Sequence, residues 1–157
     1  MYLKKILDLV FIFLIFSLSV AKCSEQIEGV QNDYNALVSA TPQEIGSGTL
    51  SFLFGIKLYD VRLVSVNAFK KDNIFEFPFA LEINYFHNWS AAAIAKRSVK
   101  EISDLGYADR EKKREWLNWM EDNLPSVKKG DMVSGLFSPG HGIRFFLNRE
   151  FYSSSDD

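Results

Sequence analysis

The chain has 157 residues, 47% of them hydrophobic and 15% aromatic, and its 18 basic and 20 acidic side chains leave a formal charge of −2. This length suits one domain with its own hydrophobic core, and the mildly acidic balance gives no electrostatic reason to expect nucleic acid or an anionic membrane surface as a partner. Cys23 is the single cysteine, so an intramolecular disulfide is excluded.

Residues 1–23 read as a secretory signal peptide. Lys4 and Lys5 form a short positive region, Leu9 to Leu18 is an uncharged apolar run, and small residues follow at Ser17, Ser19 and Ala21. The run is shorter than the roughly 20 apolar residues that span a bilayer. Cleavage is expected after Ala21 or after Cys23. A retained N-terminal anchor is the alternative, opposed by Asp8 and by the short run; acylation of Cys23 is opposed by Lys22 just before it. Loss of Lys4, Lys5, Lys22 and Asp8 moves the formal charge from −2 to −4. The expected product is a periplasmic or secreted domain over residues 24–157 with no stable membrane span.

After a polar entry over residues 26–39, Ile45 to Val66 is rich in β-branched and aromatic residues and punctuated by Gly46, Gly48 and Gly55. This predicts two adjoining strands with their junction near Gly55. A charged turn at Lys70 to Asn73 leads into Phe79 to Phe86, where Phe79, Leu81, Ile83 and Tyr85 alternate with Glu82 and Asn84. Such alternation predicts an antiparallel strand with one face in the core and the other in water.

A helix is predicted from Asn88 or Ser90, both good caps, to Leu105 before Gly106. Its inward stripe is Ala91, Ile94, Ala95, Ser98, Ile102 and Leu105. A second helix runs from near Asp109 to before Pro125, with Trp116, Leu117, Trp119, Met120 and Leu124 inside and the charged Arg110 to Glu115 in solvent. Lys128 to Asp131 forms a turn into a hairpin, Met132 to Phe137 and Ile143 to Leu147, joined by Ser138 to Gly142. The polar tail Ser153 to Asp157 is expected to be disordered.

Catalytic signatures are lacking: no Walker loop, dinucleotide fingerprint, His-Glu-x-x-His helix or Gly-x-Ser-x-Gly elbow occurs in the sequence. His87 and His141 would need a third ligand to hold zinc and read as surface residues. Asn88-Trp89-Ser90 fits a glycosylation acceptor, but capping of the helix accounts for the same residues.

Gly46 to Leu50 (GSGTL), Ile56 to Leu63 (IKLYDVRL), Phe79 to Tyr85 (FALEINY), Ile94 to Ile102 (IAKRSVKEI), Val127 to Met132 (VKKGDM) and Gly142 to Asn148 (GIRFFLN) follow one another in an order that resembles the exported bacterial branch of the chalcone isomerase-like family. The resemblance covers about residues 27–151 and implies an α+β fold, an antiparallel sheet with helices packed on one face and an apolar cleft between the layers. The family includes isomerases that close a chalcone ring and relatives that bind fatty acids. The isomerases' tyrosine and asparagine align with Ile94 and Glu101, and their threonine with Phe54, so the groups that position a phenolate and polarise a ketone are replaced by side chains that cannot do so.

The resemblance therefore implies a non-catalytic exported protein whose cleft takes an apolar small molecule such as a fatty acid, without a cofactor or metal. Tyr59, Arg62, Tyr85 and Ile94 are the candidate ligand-binding residues; the plain alternative is that they are ordinary strand and helix residues. Two other functions stay open: an intramolecular lyase of the chalcone isomerase type, and a structural or interaction protein of the cell envelope. Relatives continue beyond the segment ending at Phe151 with a further helix. Its expected absence here would leave apolar surface for a homodimer or a partner protein to cover.

Overall fold

The strand and helix signals assemble into one open sheet carrying two helices. The computed structural model describes residues 34–155, except 38, 68–70, 105 and 107–109; residues 1–23, read from the sequence as a signal peptide, and with them Cys23, lie outside the described residues. The strands are β1 (Gln43–Phe52), β2 (Ile56–Ser65), β3 (Phe79–Tyr85), β4 (Met132–Ser138), β5 (Gly142–Leu147) and β6 (Glu150–Ser155). They lie side by side in chain order, and every pair is antiparallel. Helices α1 (Ala91–Asp104) and α2 (Arg110–Asn123) fill the connection between the neighbouring strands β3 and β4.

Local chemistry sets the helix ends. The Ser90 hydroxyl accepts the Ala93 N–H at 3.1 Å, and Ser126, beyond α2, accepts the Ala91 N–H at 3.0 Å. Two orphan donors of the first turn of α1 are thus satisfied. Gly106, at φ 82°, takes the left-handed conformation that ends the helical region. A bridge between Trp89 and Val127 ties the entry of α1 to the exit of α2.

Register places one row of side chains under the helices. Leu63, Leu81, Gly135 and Phe145 lie in register across β2 to β5, and Phe79, Phe137 and Ile143 across β3 to β5. With Val61 and Ile74, their side chains pack against Ala95 and Ile102 of α1 and Trp116 and Met120 of α2, and against Leu124. This is the core that the alternation predicts.

The opposite face is not simply wet, as the alternation suggested. Ala80 is fully buried and Glu82 is 4% exposed. The cover comes from Tyr34 and Leu37, in a stretch that is helical from Tyr34 to Leu37 rather than a plain polar entry. Tyr34 stacks on Phe146 at 4.2 Å, its hydroxyl lies 3.1 Å from Ser134 Oγ, and with Leu37 it joins Val64, Ala80, Leu136 and Phe146 in a second core. Glu82 can be buried here because Arg62, its neighbour across the β2–β3 ladder, forms an ion pair with it.

The polar tail also departs from expectation. Residues 150–155 form β6 instead of a disordered end, with Phe151 edge-on to Phe146 at 6.0 Å and the Ser153 hydroxyl donating to Asn123 O at 2.6 Å. The β5–β6 turn is made by Asn148 and Arg149, both at positive φ (53° and 74°). That is the backbone a tight hairpin requires, supplied without glycine. Asn148 further accepts the Met132 N–H and donates to Asp131 Oδ1, while Asp131 accepts the Lys128 N–H. These bonds hold the Asp131 carboxyl below its usual range and fasten one end of the sheet.

At the β1–β2 junction Phe54 has φ 64° beside Gly55 at 78°. For a bulky residue this left-handed conformation costs on the order of 1–2 kcal/mol.

The second core makes a definite prediction. Tyr34→Ala should lower unfolding stability by about 3–5 kcal/mol through loss of a buried ring, and Tyr34→Phe by about 1 kcal/mol through loss of the Ser134 hydrogen bond. Urea unfolding of both variants measures this; an unchanged Tyr34→Ala midpoint would show that the turn does not cover the sheet.

Candidate functional site

The helix-facing side of the sheet does not pack fully against α1. In β4, Gly135 sits between Leu81 and Phe145, so no side chain fills the middle of that row. A cavity of about 90 Å³ lies there. Its floor is Tyr59 of β2, Leu81, Ile83 and Tyr85 of β3, Val133 and Gly135 of β4, and Phe145 of β5. Its roof is Ile94, Arg97 and Ser98, which share one face of α1 at helical spacing, and Trp89, Leu124 and Pro125 close the side where the helices join the sheet.

Most of this lining is hydrocarbon, and the polar groups are few. The Tyr59 and Tyr85 rings stand 5.8 Å apart, tilted by 56°. Burial pushes both phenols up from their ordinary value; the Arg97 cation partly opposes this at Tyr59, and the neighbouring Tyr59 adds to it at Tyr85. Both hydroxyls therefore keep their protons at neutral pH and can donate. The Arg97 guanidinium pairs with Glu101 one turn along α1. Among the described residues, Arg97 Nε and Trp89 Nε1 are buried donors that have no hydrogen-bond partner. A buried donor left unpaired costs about 1–3 kcal/mol, which an acceptor on a bound molecule would offset.

Three of the candidate residues from the sequence, Tyr59, Tyr85 and Ile94, meet at this cavity. Arg62 does not reach it. Val61 and Leu63 on either side of it face the helices, so Arg62 emerges on the opposite face, held by Glu82. The positive charge at the cavity belongs to Arg97, three residues after Ile94 on the same helix face. The stripe drawn through Ile94 and Ser98 passes beside Arg97, and that spacing was the available signal for it. Trp89 gave none, since it precedes the helix and its place depends on the bridge to Val127.

Of the positions aligned with the isomerases' reactive groups, Ile94 offers the cavity a hydrocarbon and Glu101 is committed to Arg97. Phe54 is 98% exposed at the hairpin tip. His87 follows β3 and His141 lies in the β4–β5 turn, so the two stand at opposite ends of the sheet. Among the described residues no three His, Cys, Asp or Glu side chains cluster to hold a metal ion, and no helix is long and apolar enough to cross a membrane.

An open antiparallel sheet of six strands with the two long helices on one face is the chalcone isomerase-like arrangement. Among solved structures the chain is similar to the crystal structure of a fatty-acid binding protein from Arabidopsis thaliana, with a TM-score of 0.53 and 10% sequence identity over 74% of this chain and 73% of that one. At that identity the likeness is one of fold. No family model matches the sequence, and no curated protein matches it.

The buried phenols imply a pH dependence. Below pH 10.0, the ordinary tyrosine value, folded and unfolded chains both keep the proton and nothing is lost. Above it the unfolded chain ionises first, so stability falls as pH rises towards the higher folded value. Urea unfolding between about pH 8 and pH 11 should show this fall, and Tyr85→Phe should make it shallower. An identical slope in the variant would mean that Tyr85 is not shielded from water.

Proposed function

We propose that the protein is a non-catalytic binding protein whose cavity holds an apolar small molecule with an anionic or strongly accepting head, such as a fatty acid. The observation that carries this reading is the lining itself. Hydrocarbon walls surround the hydroxyls of Tyr59, Tyr85 and Ser98, Trp89 Nε1 and the Arg97 guanidinium, and two of the nitrogens, Trp89 Nε1 and Arg97 Nε, have no hydrogen-bond partner among the described residues. Such a site favours a ligand with an aliphatic body and a carboxylate-like end. The similarity in fold to a fatty-acid binding protein supports the same class.

Ile94, Glu101 and Phe54, where the isomerases carry their reactive groups, weigh against ring-closing chemistry. Export through residues 1–23, with cleavage after Ala21 or Cys23, and kinship with an exported bacterial branch belong to the same proposal and rest on sequence pattern alone.

Native mass spectrometry of the protein recovered from the exported fraction tests the reading, because it reports the cleavage site, oligomeric state and bound mass together. The expected result is a processed chain carrying a releasable adduct of fatty-acid size. Arg97→Gln should weaken retention about tenfold or more by removing charge-assisted hydrogen bonds, and Ser98→Leu should abolish it by filling the cavity. A processed chain with no adduct that also fails to take up an added fatty acid would refute binding at this site.

A further inference from the structure

The chain as a whole is acidic, yet the fold collects cations and bare apolar side chains at one end of the sheet. The β1–β2 hairpin finishes there in residues 52–56, with Phe52 61%, Phe54 98% and Ile56 51% exposed. Phe54 adopts its left-handed backbone although Gly55 follows it and bears the same φ sign freely. A bulky residue held that way, with its ring in solvent, points to a role outside the folded core.

Lys57 comes directly after the tip, with its ammonium 5.9 Å from the centroid of the Phe86 ring. The turn bearing the exposed Lys128 and Lys129 is fixed to the same end: Gly130 N–H donates to Tyr85 O and Lys129 N–H to Asn88 Oδ1, both at 2.8 Å. His87, whose Nε2 lies 3.1 Å from Lys57 O, ties the tip to the end of β3. Asp131 is the acid within the turn, and its carboxylate is occupied by Lys128 N–H and Asn148.

We propose that this end of the molecule docks on a bilayer surface containing anionic lipid, with Phe52, Phe54 and Ile56 entering the headgroup boundary and Lys57, Lys128 and Lys129 facing the phosphates. Two features choose a bilayer over a protein partner. The apolar residues form a narrow projection, which sinks into a deformable interface without a matching pocket. The lysines beside it provide the charge complementarity that anionic headgroups reward. Tyr59 and Tyr85 of the cavity lie at this same end, so a membrane-borne aliphatic ligand would have a short path between lipid and site. That purpose rests on the binding function proposed above; the docking itself is measured without any ligand.

Co-sedimentation with phosphatidylcholine vesicles containing about 30% phosphatidylglycerol, at about 0.1 M salt, tests it. Wild type and Phe54→Ser are both recovered from the exported fraction, so that any contribution of residues 1–23 is common to them. The wild type should pellet with these vesicles and bind more weakly to pure phosphatidylcholine and at about 1 M salt. Phe54→Ser should bind about tenfold more weakly through loss of one buried ring, and Phe54→Gly should do the same while becoming more stable to urea. A wild type left in the supernatant, or a Phe54→Ser variant that binds as well, overturns the proposal. Tip-dependent dimers without vesicle binding also overturn it and assign the tip to a second copy of the chain. A chain that pellets yet takes up no fatty acid keeps the docking and loses the carrier role; one that carries fatty acid but never pellets does the reverse.

Discussion

The rest of the structure depends on the alternation along β3. This central strand, paired on both edges, must send Phe79, Leu81, Ile83 and Tyr85 to one side and Ala80, Glu82 and Asn84 to the other. The first set supports the helices and floors the cavity. The second puts Glu82 beneath the layer that contains Tyr34 and Leu37, where its carboxylate would be unpaired if Arg62 were not directly across the ladder. Slipping the register by one residue would put Glu82 beneath α1 and expose the aromatic row, so the position of the cavity and the existence of the second core follow from a single pairing choice.

The cavity itself reads as a local sacrifice of packing. Interiors are normally filled to near-crystalline density with their polar groups satisfied. On the helix-facing side, Gly135 leaves a gap in the row, and Trp89 and Arg97 each keep a buried nitrogen unpaired. Raised phenol values at Tyr59 and Tyr85 belong to the same low-polarity environment. Two of the three buried polar atoms without a partner among the described residues line this one space, the third being Ser155 Oγ on β6, and that coincidence distinguishes a site from an ordinary packing defect.

Much of this was legible from the residues in order. The period of two in Phe79 to Tyr85, the capping serine at Ser90, Gly106 after the first helix and the SPGHG connection all express local chemistry, and the corresponding elements form where that chemistry puts them. Other features depended on tertiary context. Ile27, Val30, Tyr34 and Leu37 recur at spacings of three and four, a helical signal diluted by polar neighbours, and nothing local shows that Tyr34 and Leu37 become core by covering the second face of the sheet. The strand at 150–155 has a serine-rich sequence and a turn built from Asn148 and Arg149 without glycine, so neither composition nor turn residues announced it. Arg62 and Arg97 exchanged roles for a geometric reason: strand alternation sends the first away from the cleft, while helical spacing carries the second into it.

The two helices lie between strands that are neighbours in space, and this has a consequence for how the molecule comes together. β1 with β2, and β4 with β5 and β6, are hairpin partners whose loops close over a few residues. β3 and β4 can meet only after residues 86–131 have been gathered in, the costliest loop closure in the sheet. The cavity has its floor on both sides of that seam and its roof in the gathered segment. It therefore depends on that long-range pairing, and a chain whose hairpins and helices are already formed still has no site until that seam closes.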